Sequence, residues 1–164
     1  TVLEKCYIHG DMHCFNLFYD QDGNYTGVID FDFSRYDHRL TDIYWSSRIF
    51  FFRELRKKYS REELNSEDFD VPQAIVEQIL YDNWQMIVSE YRKTSGLTAE
   101  ELLLIHLFVE AVPLYIVRFF NLTNSEEECL KHLDWFEWEL SRLERDSQVL
   151  QVVIKRVLDE LDSK

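Results

Sequence analysis

A chain of 164 residues, 46% hydrophobic and with twelve Phe, nine Tyr and four Trp, can bury a genuine core and is expected to form one domain over 1–164. Its formal charge of −13 offers no basic stripe to displace phosphate counterions, which argues against a nucleic-acid polymer and suits a cationic small molecule. No apolar stretch reaches membrane-spanning length, no signal-type segment opens the chain, and Cys6, Cys14 and Cys129 lack C-x-x-C spacing, so a cytoplasmic protein with free thiols and no membrane partner is expected.

Cys6-Tyr7-Ile8 is a short β-prone run leading into a loop at His9. Leu17-Phe18-Tyr19 and Tyr25–Ile29 flank the turn-forming cluster Asp20-Gln21-Asp22-Gly23-Asn24, which predicts a hairpin. A calcium loop is excluded there, because Tyr25 and Phe31 stand where the motif requires Gly and Glu. Arg35, Asp37, His38 and Arg39 read as solvated loop, and Phe31 and Phe33 as core.

From Thr41 the periodicity turns helical. Thr41 or Asp42 caps a helix running through Ile43, Trp45, Ile49, Phe52 and Leu55 to about Lys58. Residues 59–70 form a polar connection. The next helix starts at Asp70-Val71-Pro72, buries Ile75, Ile79, Trp84, Ile87, Val88 and Tyr91, and stops at Gly96. Thr98-Ala99-Glu100-Glu101 is a capping box for a nearly all-apolar helix over 99–120 with a kink at Pro113. Asn124 or Ser125 opens a fourth helix through Leu143, and 149–161 is a fifth or its continuation. The expected class is mostly helical α+β: a small antiparallel hairpin region packed on four to five helices.

The chemistry concentrates in His9-Gly10-Asp11-Met12-His13-Cys14-Phe15-Asn16 and Ile29-Asp30-Phe31-Asp32. A hydroxyl nucleophile attacking a nucleotide γ-phosphate needs a carboxylate to orient it and accept its proton, and Asp11 is the candidate. Asn16 and Asp30 supply one neutral and one charged oxygen for magnesium. Asp32 reads equally as a further carboxylate near the ion or as a loop Asp, and His13 as a substrate or phosphate contact or as a loop-stabilising imidazole. His9 and Asp42 read as scaffold, with Asp42 accepting backbone N–H groups of the His9–Asp11 loop or capping its own helix. Tyr81, Trp84, Glu90, Glu110, Tyr115, Trp135 and Trp138 are candidates for lining an acceptor pocket.

These motifs resemble the aminoglycoside phosphotransferase and choline kinase superfamily, whose loop reads His-Gly-Asp-x-x-x-x-Asn and whose metal-binding Asp lies in an Ile-Asp-Phe segment. The resemblance covers residues 7–45, including an Asp at the position of Asp42. It implies a protein-kinase-like fold, ATP as co-substrate, Mg2+ as cofactor, and a small-molecule hydroxyl acceptor such as an aminoglycoside or other amino alcohol. A kinase also needs a Gly-rich loop and a strand Lys over the phosphates. With four Gly and no Gly-x-Gly, the sequence reads as a C-terminal catalytic lobe whose N-terminal nucleotide-binding lobe is absent, and the isolated chain is expected to be inactive. Two alternatives stand: a non-catalytic kinase-like binding module, and a metal-dependent hydrolase using His9, Asp11 and His13 as ligands.

Overall fold

Two short antiparallel ladders open the chain. Strands β1 (Lys5–Ile8) and β4 (Arg35–His38) pair with Ile8 opposite Arg35 and Lys5 opposite His38. Between them in sequence, β2 (Leu17–Tyr19) and β3 (Tyr25–Val28) form the expected hairpin, with Leu17 opposite Val28. Its turn is tied by Asp20, whose carboxylate accepts the N–H groups of Asp22 and Asn24 at 3.0 and 2.8 Å. The computed structural model describes residues 3–64, 66, 69–94, 96–109, 111, 114, 125, 127 and 133–163, with backbone alone for Arg61 and 133–143.

β4 corrects the reading of 35–39 as solvated loop. Alternation was hidden because polar residues occupy both faces of this strand. Instead of apolar burial, it is secured by the ladder to β1 and by an Arg35–Asp37 ion pair of 2.9 Å. Phe31 also departs from expectation. It is 56% exposed and lies against the His9 ring, centroids 4.9 Å apart, rather than in the core.

Among the described residues the bounded helices are α1 (Leu40–Arg56), α2 (Arg61–Leu64), α3 (Gln73–Thr94), α4 (Ala99–Leu103) and α5 (Leu133–Asp162). The class is therefore mostly helical α+β, as expected. α1 starts at Leu40, before both expected caps Thr41 and Asp42, so Asp42 falls within its first turn and its carboxylate is used elsewhere. α2 interrupts the expected polar connection and is closed by Ser60 and Glu63, each bonding the other's backbone N–H. In α3 the Pro72 carbonyl accepts the N–H groups of Ile75 and Val76, so Pro72 stands just outside the first turn. The helix expected over 99–120 is interrupted: α4 ends at Leu103, Leu104–His106 form a turn, and helical backbone resumes at Leu107–Val109. Pro113 and the expected helix start at 124–125 lie wholly or largely outside the described residues. The last two expected helices are one continuous element, α5.

α3 packs on α1 and on α5, and α4 packs on α5. Their shared core includes Ile43, Val76, Trp84, Val88, Leu102 and Ile154. Each fully buried side chain of this size contributes about 1.5–3 kcal/mol through removal of apolar surface from water. One polar joint crosses the core. Asn83, 1% exposed, donates to the carbonyl and the hydroxyl of Ser47 at 3.0 and 2.8 Å, which fixes α3 against α1. Among the described residues no helix is long and apolar enough to cross a membrane.

The start of α1 is tied to α4 by a forked ion pair. Arg39 donates from Nε to Glu101 Oε1 at 3.0 Å and from Nη2 to Oε2 at 2.5 Å. Glu101 also completes the expected capping box with Thr98. Burial pushes the Glu101 carboxyl up, but the Arg39 and Thr98 hydrogen bonds outweigh it and hold the group below the ordinary Glu value of 4.5. A carboxyl lowered on folding contributes stability that is fully present above its unfolded value and is lost as pH falls through the folded one. Glu101→Ala is therefore expected to cost about 2 kcal/mol at pH 7, less than a fully buried pair because Arg39 keeps some solvent access. The difference from wild type should shrink below pH 4.5, as read by urea denaturation across pH. A constant difference down to pH 3 or so would contradict this origin.

Candidate active site

The loop between β1 and β2 is held residue by residue. His9, 5% exposed, turns its ring inward. Its Nδ1 accepts the N–H of Asp11 at 3.3 Å, so the ring proton is on Nε2, which donates to the Ile29 carbonyl at 2.8 Å. The backbone N–H groups of His9 and Gly10 donate to the two carboxylate oxygens of Asp42 at 2.7 and 2.8 Å. This is the loop-holding alternative for Asp42; the helix cap is not formed.

Gly10 lets the two motifs meet. Its φ is +83°, and a Cβ would lie 2.2 Å from the carbonyl oxygen of Phe33, closer than any side chain can approach. Around that contact, the Ser34 hydroxyl donates to the His9 carbonyl at 3.3 Å and the Ile29 N–H donates to the Asn16 carbonyl at 3.0 Å. Asp30 follows Ile29 directly and is thereby carried to the same edge as Asn16. It adopts φ 65° and ψ 63°, makes no capping hydrogen bond and is exposed. A left-handed non-glycine residue costs about 1 kcal/mol, with Asp among the side chains that tolerate it best. That conformation reverses the chain between β3 and the 3-10 turn Phe31–Phe33.

Asn16, 5% exposed, directs its amide Nδ2 to the Asp11 carbonyl at 3.0 Å, with Asp11 Oδ2 at 3.4 Å. That orientation leaves the carboxamide oxygen for another partner. The Asp11 side chain keeps 23% exposure. Its Oδ1 accepts the indole N–H of Trp45 at 2.9 Å, and its Oδ2 faces His13 Nε2 at 3.4 Å. His13 in turn accepts the Phe15 N–H on Nδ1 at 3.3 Å, which caps the 3-10 turn Cys14–Asn16. His13 is thus loop-stabilising while one edge of its ring stays beside Asp11. Asp32 is exposed within the Phe31–Phe33 turn.

Helix α1 supplies the other half of the support. Asp42, Trp45 and Ser46, at i, i+3 and i+4, share one face. Asp42 holds residues 9 and 10, Trp45 holds Asp11, and the Ser46 hydroxyl donates to the Met12 carbonyl at 2.7 Å. In sequence, Trp45 reads as one of the periodic positions of this helix and Ser46 is not singled out. Their spacing from Asp42 was the available signal.

Those expected acceptor-pocket residues whose side chains are described, Tyr81, Trp84 and Glu90, are engaged away from Asp11. Trp84 is fully buried core, Tyr81 hydrogen-bonds Glu160, and Glu90 pairs with Lys93 at 2.8 Å. Glu110 and Tyr115, and the side chains of Trp135 and Trp138, lie outside the described residues. A cavity of about 60 Å³ between α1, α3 and α5 is lined by Ser47, Arg48, Phe51, Trp84 and neighbours, on the core side of α1.

Among the described residues no three His, Cys, Asp or Glu side chains converge as a metal-ligand cluster. The hydrolase set of His9, Asp11 and His13 is overturned by a positive observation. Both His9 ring nitrogens are engaged by backbone groups, which leaves no lone pair for a metal. The Asn16 carboxamide oxygen and the exposed Asp30 carboxylate are the hard oxygen donors magnesium prefers, so they fit that ion in kind.

Residues 2–75 match the model of a family described as the phosphotransferase enzyme family. No curated protein and no solved structure gives a significant match. The matched stretch spans all four strands, the whole of α1 and the start of α3, and every residue of the site just described. It agrees with the resemblance carried by His9–Asn16 and Ile29–Phe31. The segment bearing the site is thus similar to the phosphotransferase enzyme family.

Proposed function

We propose that this chain is the catalytic and acceptor-binding lobe of an ATP-dependent small-molecule kinase that transfers the γ-phosphoryl group to a hydroxyl. The observation that supports the reading is the joining of the two motifs through Gly10, Ile29 and Ser34, which brings the segments bearing Asp11, Asn16 and Asp30 side by side. Asp11 orients the acceptor hydroxyl and takes its proton as the oxygen–phosphorus bond forms. Asn16 and Asp30 hold Mg2+, which when bound neutralises charge developing on the transferred group. His13 contacts acceptor or phosphate from beside Asp11, and Asp32 lies close enough in sequence to Asp30 to act on the same ion.

The acidic balance of −13 favours a cationic acceptor of the amino-alcohol type. Phe15 and Phe31, 84 and 56% exposed, adjoin Asn16 and Asp30 in sequence. Large apolar side chains left open beside a polar site suit coverage by a nucleotide and by a second, Lys-bearing lobe.

Titration with a non-hydrolysable ATP analogue tests the metal assignment. In protein carrying that lobe, binding is expected to require Mg2+ and to weaken roughly ten-fold or more in Asp30→Asn. Equal affinity in EDTA, or in the variant, would overturn it. Transfer of γ-phosphate across a panel of amino alcohols then identifies the acceptor.

A further inference from the structure

The proposed reaction requires the Asp11 carboxylate to keep one orientation while its partner hydroxyl and the phosphoryl group are still arriving. One donor in the site does nothing else. The indole N–H of Trp45 meets Asp11 Oδ1 at 2.9 Å, the shortest hydrogen bond made to that carboxylate among the described residues. The contacts on Oδ2, from His13 Nε2 and Asn16 Nδ2, are both 3.4 Å and weak.

We propose that Trp45 is a positioning residue for phosphoryl transfer: its indole N–H anchors Oδ1 of Asp11 and so presents Oδ2 on the side of Asn16 and His13. The inference rests on the reading of Asp11 as the base and adds a residue that the motifs do not contain. Three features carry it. An indole is a donor only, so it orients the carboxylate without competing for the proton that Oδ2 receives. The ring is mounted on α1, whose Asp42 and Ser46 already grip residues 9, 10 and 12, so donor and acceptor are fixed to the same rigid frame. The Arg48 guanidinium also lies over the indole, 5.9 Å from its ring centroid and 5.3 Å from that of Phe52.

Trp45→Phe removes the donor and keeps an aromatic ring of similar placement. It is expected to lower kcat by about ten-fold or more, the cost of a loosely aimed catalytic group, with the affinity for Mg2+–nucleotide unchanged. A merely structural role would instead lower the thermal midpoint and weaken nucleotide binding alongside kcat. An independent arm needs no turnover. The indole 1H–15N signal assigned to Trp45 through the Phe variant should shift in Asp11→Ala, while that of buried Trp84 stays in place. No shift at Trp45 overturns the contact, and an unchanged kcat in Trp45→Phe overturns the role while leaving the phosphotransfer reading intact. A wild-type protein carrying the nucleotide-binding lobe that shows the indole coupling yet transfers no phosphate to any acceptor overturns both.

Discussion

Asp11→Asn is expected to reduce the rate of phosphoryl transfer by roughly 10²- to 10⁴-fold while the protein stays folded. Asn is nearly isosteric with Asp, and its carboxamide oxygen can still accept the Trp45 indole N–H that now reaches Oδ1 at 2.9 Å. The loop would remain clasped by Asp42 and Ser46, which bond residues 9, 10 and 12 and not the Asp11 side chain. What disappears is the anion that accepts the hydroxyl proton. The loss should therefore fall on kcat and leave the affinity for Mg2+–nucleotide within a few-fold, because Asn16 and Asp30 are untouched. Steady-state kinetics with an acceptor in excess would measure this. Retention of activity within about ten-fold would remove Asp11 from the role of base.

The second large effect is on stability. Gly10→Ala is expected to destabilise the protein by about 2–4 kcal/mol, the sum of a left-handed alanine and an overpacked contact. The new Cβ would stand 2.2 Å from the Phe33 carbonyl oxygen, a backbone atom that cannot rotate away. Relief requires the His9–Asn16 loop to withdraw from the Asp30–Phe33 turn. That movement would stretch the bonds from His9 to Ile29 and from Ser34 to His9. The same substitution should then abolish Mg2+-dependent nucleotide binding, even at temperatures where the helices remain folded. Urea denaturation and nucleotide titration on the same sample read both consequences. Substitution at Gly23, also left-handed at φ +84° but with open space around its Cβ position, makes the control. It pays only the backbone term and should leave nucleotide binding unchanged.

How much of this was legible in the residues follows the range of the interactions. The hairpin at 17–28 was readable because its turn is self-contained: Asp20 bonds its own neighbours Asp22 and Asn24. The capping box at Thr98–Glu101 was readable for the same reason. The motif residues Asp11, Asn16 and Asp30 stood out by spacing, and the phosphotransferase family match over residues 2–75 covers all three. β4 was missed because it is stabilised by pairing with a strand about thirty residues earlier, and its own alternation of charges carries no apolar signal. Trp84 reads both as part of the buried face of its helix and as a pocket candidate, and the structure makes it core, since aromatic periodicity alone does not say which partner a helix face meets.

The sequence by itself determined the chemical groups and the local turns, because these depend on residue type and on neighbours a few positions away. Only the tertiary structure decided what each group faces. Asp42 serves the loop at residues 9 and 10 rather than its own helix, and His9 spends both ring nitrogens on backbone rather than on a metal. Trp45 turns its indole to Asp11 across 34 positions of chain. The physical reason is directionality. A hydrogen bond has to be aimed within a few tenths of an ångström and a few tens of degrees, and the aim is set by how α1 and the two ladders pack together.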